Sequence, residues 1–296
     1  MLLAALTLTW GLNWPVMKVG VTGFPPLTFR SLSMWLGLPV LWAVTALLKV
    51  PLRVERKDWR ELGLLTVTNM LVWHVLAILA VQALSSGRAA ILGYTMPIWS
   101  ALWGLALYGQ RLAPRQLAGI GAAALGVTLL LWHELGTIAG RPIAALGMLG
   151  AAAVWALGTQ RLRHTRIAVP TLAIVFWMTL ITTLAMTLLA VGLEHSRWTA
   201  PGPETWGAIA YNAVMIFGFA QAIWLVLARD LPPIASTMSV MLIPVLGTLS
   251  GAWWLGERLH WQDGAAIVLL GIAIAAVMWP QRAGARQAAR ERSATP

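Results

Sequence analysis

Apolar residues in this chain come in runs close to the length that crosses a bilayer, separated by short segments carrying charge, Gly or Pro. A hydrocarbon core of about 30 Å takes about 20 residues of α-helix. A soluble helix would keep a polar face at a 3.6-residue period, whereas these runs are apolar all round. They predict spans at residues 2–19, 27–48, 62–81, 89–108 and 116–132, then at 144–160, 169–193, 205–227, 234–255 and 265–279. The run at 144–160 is short and rich in Ala and Gly, and carries the weakest signal. The expected fold is an all-α polytopic membrane protein of ten transmembrane helices, with no room among 296 residues for a soluble domain.

Composition agrees with the pattern. Hydrophobic residues make up 59% and charged residues 10%, against about 25% charged in soluble domains, and mean hydropathy is +0.74. Too few charges exist to clothe a water-facing surface. Cys is absent, which removes disulfides, thiolate metal ligands and Cys nucleophiles. The net charge of +11 points to topology rather than nucleic acid, because the basic residues fall between apolar runs. The first run begins at Met1 with no basic leader or small-residue cleavage site, and Trp10, Asn13 and Trp14 interrupt it. It reads as helix 1 rather than a removed signal peptide.

The loop charges orient the chain. One alternate set of segments holds Lys49, Arg53, Arg56, Lys57 and Arg60, then Arg111 and Arg115, then Arg161, Arg163 and Arg166, then Arg229. A basic tail at 282–296, expected to be disordered, adds Arg282, Arg286, Arg290 and Arg292. The opposite set has Lys18, Arg30, Arg88, Arg141, Arg197 and Arg258. Cytoplasmic segments carry the Lys/Arg excess, so both termini are expected inside a bacterial-type inner membrane.

The chain also repeats itself. Residues 84–132 align without a gap on 231–279, pairing Pro97 with Pro244, Gly104 with Gly251, Gly109 with Gly256, Arg111 with Arg258 and Trp132 with Trp279. At a spacing two residues shorter, Trp10 pairs with Trp155 and Lys18 with Arg163. Chance matching of apolar residues does not put Pro, Gly, Arg and Trp in register over two helices. Residues 1–140 and 141–281 are therefore expected to be two five-helix repeats. An odd number of spans inverts the second copy, the arrangement of many secondary transporters whose site lies between the halves.

Several motifs, in order, resemble the drug/metabolite transporter superfamily in its ten-helix EamA-type branch. They are Trp10, Gly11, Leu12, Asn13 and Trp14 with Lys18; Pro26 to Arg30; Ser86 to Pro97; and Gly256, Glu257, Arg258 and Leu259. Gln110 stands where the resemblance would put a second Glu. The resemblance covers essentially the whole chain. It implies an inner-membrane carrier, often an exporter, of small metabolites such as amino acids, with a cavity among helices 1, 3, 4, 6, 8 and 9. The chain is also similar to bacterial aromatic-amino-acid exporters. A multidrug or organic-cation efflux carrier is the other reading.

Polar groups inside a membrane are costly unless they pair or face a cavity, so they nominate site residues. The candidates for substrate contact are Trp10, Asn13, Trp73, His74, Tyr94, Trp155 and Ser239. His74 either lines a cavity or bonds a neighbouring carbonyl. Trp10, Trp155, Trp73 and Tyr94 offer aromatic walls for a planar or cationic solute. Pro97 and Pro244 are expected to break helices 4 and 9 at matched positions, a pointer to a transporter site. Gly247 and Gly251, with Ser100 and Gly104 in the first copy, allow close helix approach. Ser236, Ser239, Gly247 and Ser250 fall on one stripe. Trp59, Trp132, Trp198, Trp261 and Trp279 read as interfacial anchors, and Lys18 and Arg163 as snorkelling residues. Glu257 reads as a partner of Arg258 or a gate.

Asp58, Glu61, Glu134, Glu194, Glu204, Asp230 and Asp263 all fall in loops or at helix ends, so coupling through a mid-span carboxylate is not expected. Facilitated diffusion, exchange or a His74-linked proton step remain. No zinc-protease pair, nucleophile elbow or phosphate-binding loop occurs, which argues against an intramembrane enzyme and an ATP-driven pump. A channel needs a ring of like groups, usually from several subunits, whereas a fused repeat builds a site within one chain. The expectation is thus a monomeric carrier in contact with lipid and a small-molecule substrate, with no metal or cofactor.

Overall fold

Within the described residues the apolar runs are helical, and the ends follow local chemistry. The computed structural model describes residues 2–136, 141–220 and 233–278; the side chains of residues 2, 131, 133–136, 233–241 and 278 are outside that description. Among the described residues there is no strand. The helices are α1 (Leu2–Val21), α2 (Pro26–Leu47), α3 (Trp59–Thr66), α4 (Val72–Ala83), α5 (Ser86–Gly93), α6 (Met96–Tyr108), α7 (Pro114–Gly136), α8 (Pro142–His164), α9 (Thr171–Glu194), α10 (Pro203–Tyr211), α11 (Pro233–Leu255) and α12 (Trp261–Met278). Proline at the first turn starts α2, α8 and α10, where its missing N–H has no partner to lose.

Among the described residues five stretches are long and apolar enough to cross a membrane: Pro26–Leu47, Arg56–Ala83, Ser86–Tyr108, Pro142–His164 and Thr171–Arg197. Shorter apolar helices cover Leu242–Leu255 and Trp261–Val277. The weak run at 144–160 becomes the 23-residue α8. The run at 62–81 is joined to a charged approach, and its helix starts six residues earlier, at Arg56. The far end of the run at 205–227, with Arg229, Asp230, Trp279 and the tail at 282–296, lies outside the described residues, as do the side chains of Glu134, Ser236 and Ser239.

Two stretches of π-helix interrupt the pattern, at Val67–Leu71 between α3 and α4 and at Asn212–Ala220 after α10. They begin 145 positions apart (212 − 67), the spacing that pairs Trp10 with Trp155. Gly109 and Gly256, paired by the repeat, end their helices in the left-handed region at φ 62° and 64°. The next residue bonds back in both places, Gln110 N to Gly104 O at 3.1 Å and Glu257 N to Gly251 O at 3.4 Å. α7 lies along α12, α2 along α9, α1 along α11, and α8 along α4 and α6.

The two prolines differ. Pro97 sits in the first turn of α6, after a two-residue break at Tyr94 and Thr95. Pro244 lies inside an unbroken α11, so the expectation of two matched breaks is corrected. Thr248 Oγ donates to the Pro244 carbonyl at 2.8 Å, and the helix continues past it.

One end of the bundle is tied by charges set against helix termini. Lys18 Nζ donates to the carbonyls of Val81, Gln82 and Leu84 at 3.0, 2.8 and 2.7 Å. It therefore clamps the C-terminus of α4 rather than reaching for the interface. Glu194 accepts from the N–H groups of Leu27 and Thr28 at the start of α2. Glu257 accepts from Ser86 N, Ser86 Oγ and Gly87 N at 2.6, 2.9 and 3.3 Å; its carboxylate caps α5 instead of pairing with Arg258. These placements match a helix dipole, positive at its N-terminus and negative at its C-terminus. Arg88 and Asp263, at 2.9 Å, add an ion pair. The opposite end has the Arg161–Glu61 pair and the Gln160 side chain on the Ser100 carbonyl at 2.7 Å.

Candidate substrate cavity

A cavity of about 270 Å³ lies among α1, α2, α4, the 94–97 break, α8 and the second π-helix. It receives side chains from both halves of the sequence. Trp10, Asn13, Trp73, His74, Tyr94 and Trp155 all line it, together with Pro97. The side chain of Ser239 lies outside the described residues. The volume lies just below the range of about 300–1,000 Å³ for drug-sized ligand sites.

Aromatic rings build the walls. Trp73 and Trp155 meet edge to face with centroids 5.3 Å apart, and Trp14 meets Tyr94 at 6.3 Å. Such geometry places the positive edge of one ring on the negative face of the other. Two glycines make room for it. A Cβ at Gly93 would meet Trp14 Cη2 at 3.0 Å and Trp73 Cη2 at 3.3 Å; one at Gly247 would meet Trp14 Cδ1 and Ala90 Cβ at 3.1 Å. Gly247 thus seats Trp14, while Gly251 packs against Ser86 and Glu257 away from the cavity. The break at Tyr94 turns the chain by one short step, and Thr95 closes it by donating to the Leu92 carbonyl at 2.7 Å.

The polar groups on these walls are largely unpaired. His74 is buried, and neither ring nitrogen has a partner, so the carbonyl-bonded alternative is set aside. Asn13 Oδ1 is buried without a donor, and Arg30 Nε without an acceptor. Buried polar atoms almost always find partners, so three such groups around one cavity call for an occupant or water. The His74 ring lies against Phe217 at 5.5 Å.

Arg30, Met17, Trp14, Phe217 and Ile216 are cavity residues that the sequence pattern missed. Arg30 also corrects the charge pattern, which groups it with the charges of the opposite side although the span at 27–48 includes it. Pro26 opens α2, so Arg30 stands one turn inside it and is buried. The signal was available in the preference of Pro for the first helical position. Nothing in the sequence marked Ile216 and Phe217, whose placement depends on the π-helix.

Among the described residues no acid lines the cavity, and no group of three His, Asp or Glu converges to hold a metal.

Apolar helices enclosing a small aromatic cavity, with polar groups left unpaired on its walls, are the construction of an integral membrane transport protein. The EamA-like transporter family matches residues 1–132 and again 142–279, and the chain belongs to that family, within the drug/metabolite transporter superfamily. It is 28% identical over 285 residues to a protein named "Probable amino-acid metabolite efflux pump" of Escherichia coli (strain K12), covering 91% of each chain. It is 23% identical over 274 residues to the uncharacterized transporter YoaV of Bacillus subtilis (strain 168), again with 91% of each covered. A solved crystal structure at 22% identity superposes with a TM-score of 0.65 over 92% of this chain and 95% of that one, and so shares the fold.

Proposed function

We propose that this chain is a secondary transporter that exports small metabolites, amino acids including aromatic ones, across a bacterial-type inner membrane by alternating access. The observation carrying this reading is the cavity itself: aromatic walls of amino-acid size, drawn from both halves, with unsatisfied polar groups facing inward. The efflux-pump name of the Escherichia coli relative supports the substrate class and direction.

Ten spans in two inverted five-helix repeats, at 1–140 and 141–281, supply the mechanism. The double family match, the paired Gly109 and Gly256 and the helix pairing support that division. Exchange of the two halves' conformations would open the cavity to one side and then the other. The loop charges put both termini in the cytoplasm, and a site enclosed by one chain suits a monomer.

The organic-cation reading is the weaker one. The aromatic walls could take a cation, but the permanent charge of the buried Arg30 on the same cavity would repel it. The test is net efflux of labelled amino acids from proteoliposomes, with and without a pH gradient. Saturable efflux of amino acids is the expected result. Saturable efflux of an organic cation such as methyl viologen, with none of amino acids, would overturn the proposed substrate class.

A further inference from the structure

Arg30 is a buried charge with no ion pair to a described acid. It lies within α2 and is 3% exposed. A guanidinium stays protonated in proteins, so it is a permanent cation inside an apolar bundle. Such a charge is normally paired with a carboxylate, yet no described acid forms an ion pair with it. Its contacts are a neutral amide, Asn212 Oδ1 at 3.2 Å from Nη1, and a thioether, Met17 Sδ at 2.7 Å from Nη2. The Phe217 ring stands 5.8 Å from Cζ, and Nε has no partner.

These contacts are unevenly spread. Nη1 is occupied by an oxygen, whereas the Nε–Nη2 edge holds only a sulfur, a weak acceptor. Two parallel N–H groups on one edge of a guanidinium match the two oxygens of a carboxylate. That edge belongs to a residue lining the cavity, and Met, unbranched and flexible, can swing aside from it. On the same cavity's lining, one turn of α1 before Met17, the orphaned Asn13 Oδ1 is an acceptor without a donor, which an ammonium group supplies. Trp73 and Trp155 line the cavity as well, an apolar wall for the remainder of such a solute.

We propose that Arg30 is the anchor for the substrate's carboxylate, taken on its Nε–Nη2 edge in place of Met17, and so restricts the cavity to carboxylate-bearing solutes. The proposal rests on the reading of the cavity as the carrier's substrate site. A purely structural Arg30, tying α1, α2 and the second π-helix together, would affect folding but would not distinguish solutes by their acid group.

The experiment is competition against labelled L-phenylalanine flux in proteoliposomes, using 3-phenylpropionate, phenethylamine and phenylalaninamide, with L-leucine and isopentylamine as an aliphatic pair. Wild-type protein is expected to be inhibited by 3-phenylpropionate and L-leucine, and about ten- to a hundredfold more weakly by each compound lacking the carboxylate, the range for a charge-assisted bidentate contact. Arg30→Met should erase that discrimination, and Arg30→Lys should retain part of it. Since Arg30→Met could fail to fold, the wild-type profile decides alone: amines or the amide competing as well as the acids overturns the anchor. If flux persists while discrimination is absent, the carrier reading stands and the anchor falls. Absence of saturable flux for L-phenylalanine and L-leucine alike overturns both.

Discussion

Gly158 is where the cavity wall is held in place, and Gly158→Ala tests that physically. α8 crosses the first π-helix there, and an added Cβ would stand 2.7 Å from Asn69 N and Thr68 C and 2.8 Å from Asn69 Cα. Ordinary carbon contacts lie at about 3.5–4.0 Å, so backbone and helix must part by roughly 1 Å. No flexible side chain can absorb the shift, because the three nearest atoms are all main chain. Overpacking of this kind costs about 1–3 kcal/mol, which corresponds to a fall in Tm of roughly 2–10 °C for a chain of this size. Trp155 lies one turn away on α8 and rests on Trp73, so the displacement should also loosen the aromatic wall and lower flux. The control is Gly147→Ala on the same helix, where nothing lies within 4 Å; alanine is the better helix former there, and Tm should hold or rise. Intrinsic Trp fluorescence during heating of detergent-purified protein gives both values. Equal Tm and equal flux for the two variants would refute the reasoning.

His74→Ala and Tyr94→Ala should each lower transport while leaving a monodisperse, folded protein by size-exclusion chromatography; wild-type kinetics in both would remove α4 and the 94–97 break from the site. Lys18→Met should leave the carbonyls of Val81, Gln82 and Leu84 at the end of α4 without their donor and lower Tm by several degrees, since bonds to charged groups contribute about 1.5–3 kcal/mol; an unchanged Tm would show that the clamp is dispensable. Arg161→Ala should cost little, about 0.2–1 kcal/mol, because its pair with Glu61 is partly exposed and screened; a shift larger than about 5 °C would contradict that.

Helices were legible because apolar run length is a one-dimensional quantity, and α1, α2 and α11 end within two residues of their predicted bounds. Most of the candidate cavity residues were nominated by one rule, that polar and repeat-related aromatic groups at membrane depth need a reason. The rule passed over Arg30, which lies inside the predicted span at 27–48 but near its start, because its burial comes from packing against Met17 and Asn212 on other elements. It misread Lys18 and Glu257 because their partners are helix termini more than 60 positions away, and backbone carbonyls and N–H groups carry no residue-type signal. Pro97 and Pro244 looked alike in sequence, yet only the first follows a break. A proline limits the backbone without deciding how the surrounding helix accommodates it.

The central claim, an alternating-access carrier for amino acids, is tested most directly by counterflow. Proteoliposomes loaded with unlabelled L-phenylalanine or L-leucine are diluted into trace labelled solute, and internal label is followed with time. The account predicts a transient accumulation above equilibrium that saturates with solute and vanishes without internal loading. Label that only equilibrates, at a rate linear in concentration and indifferent to loading, would contradict it.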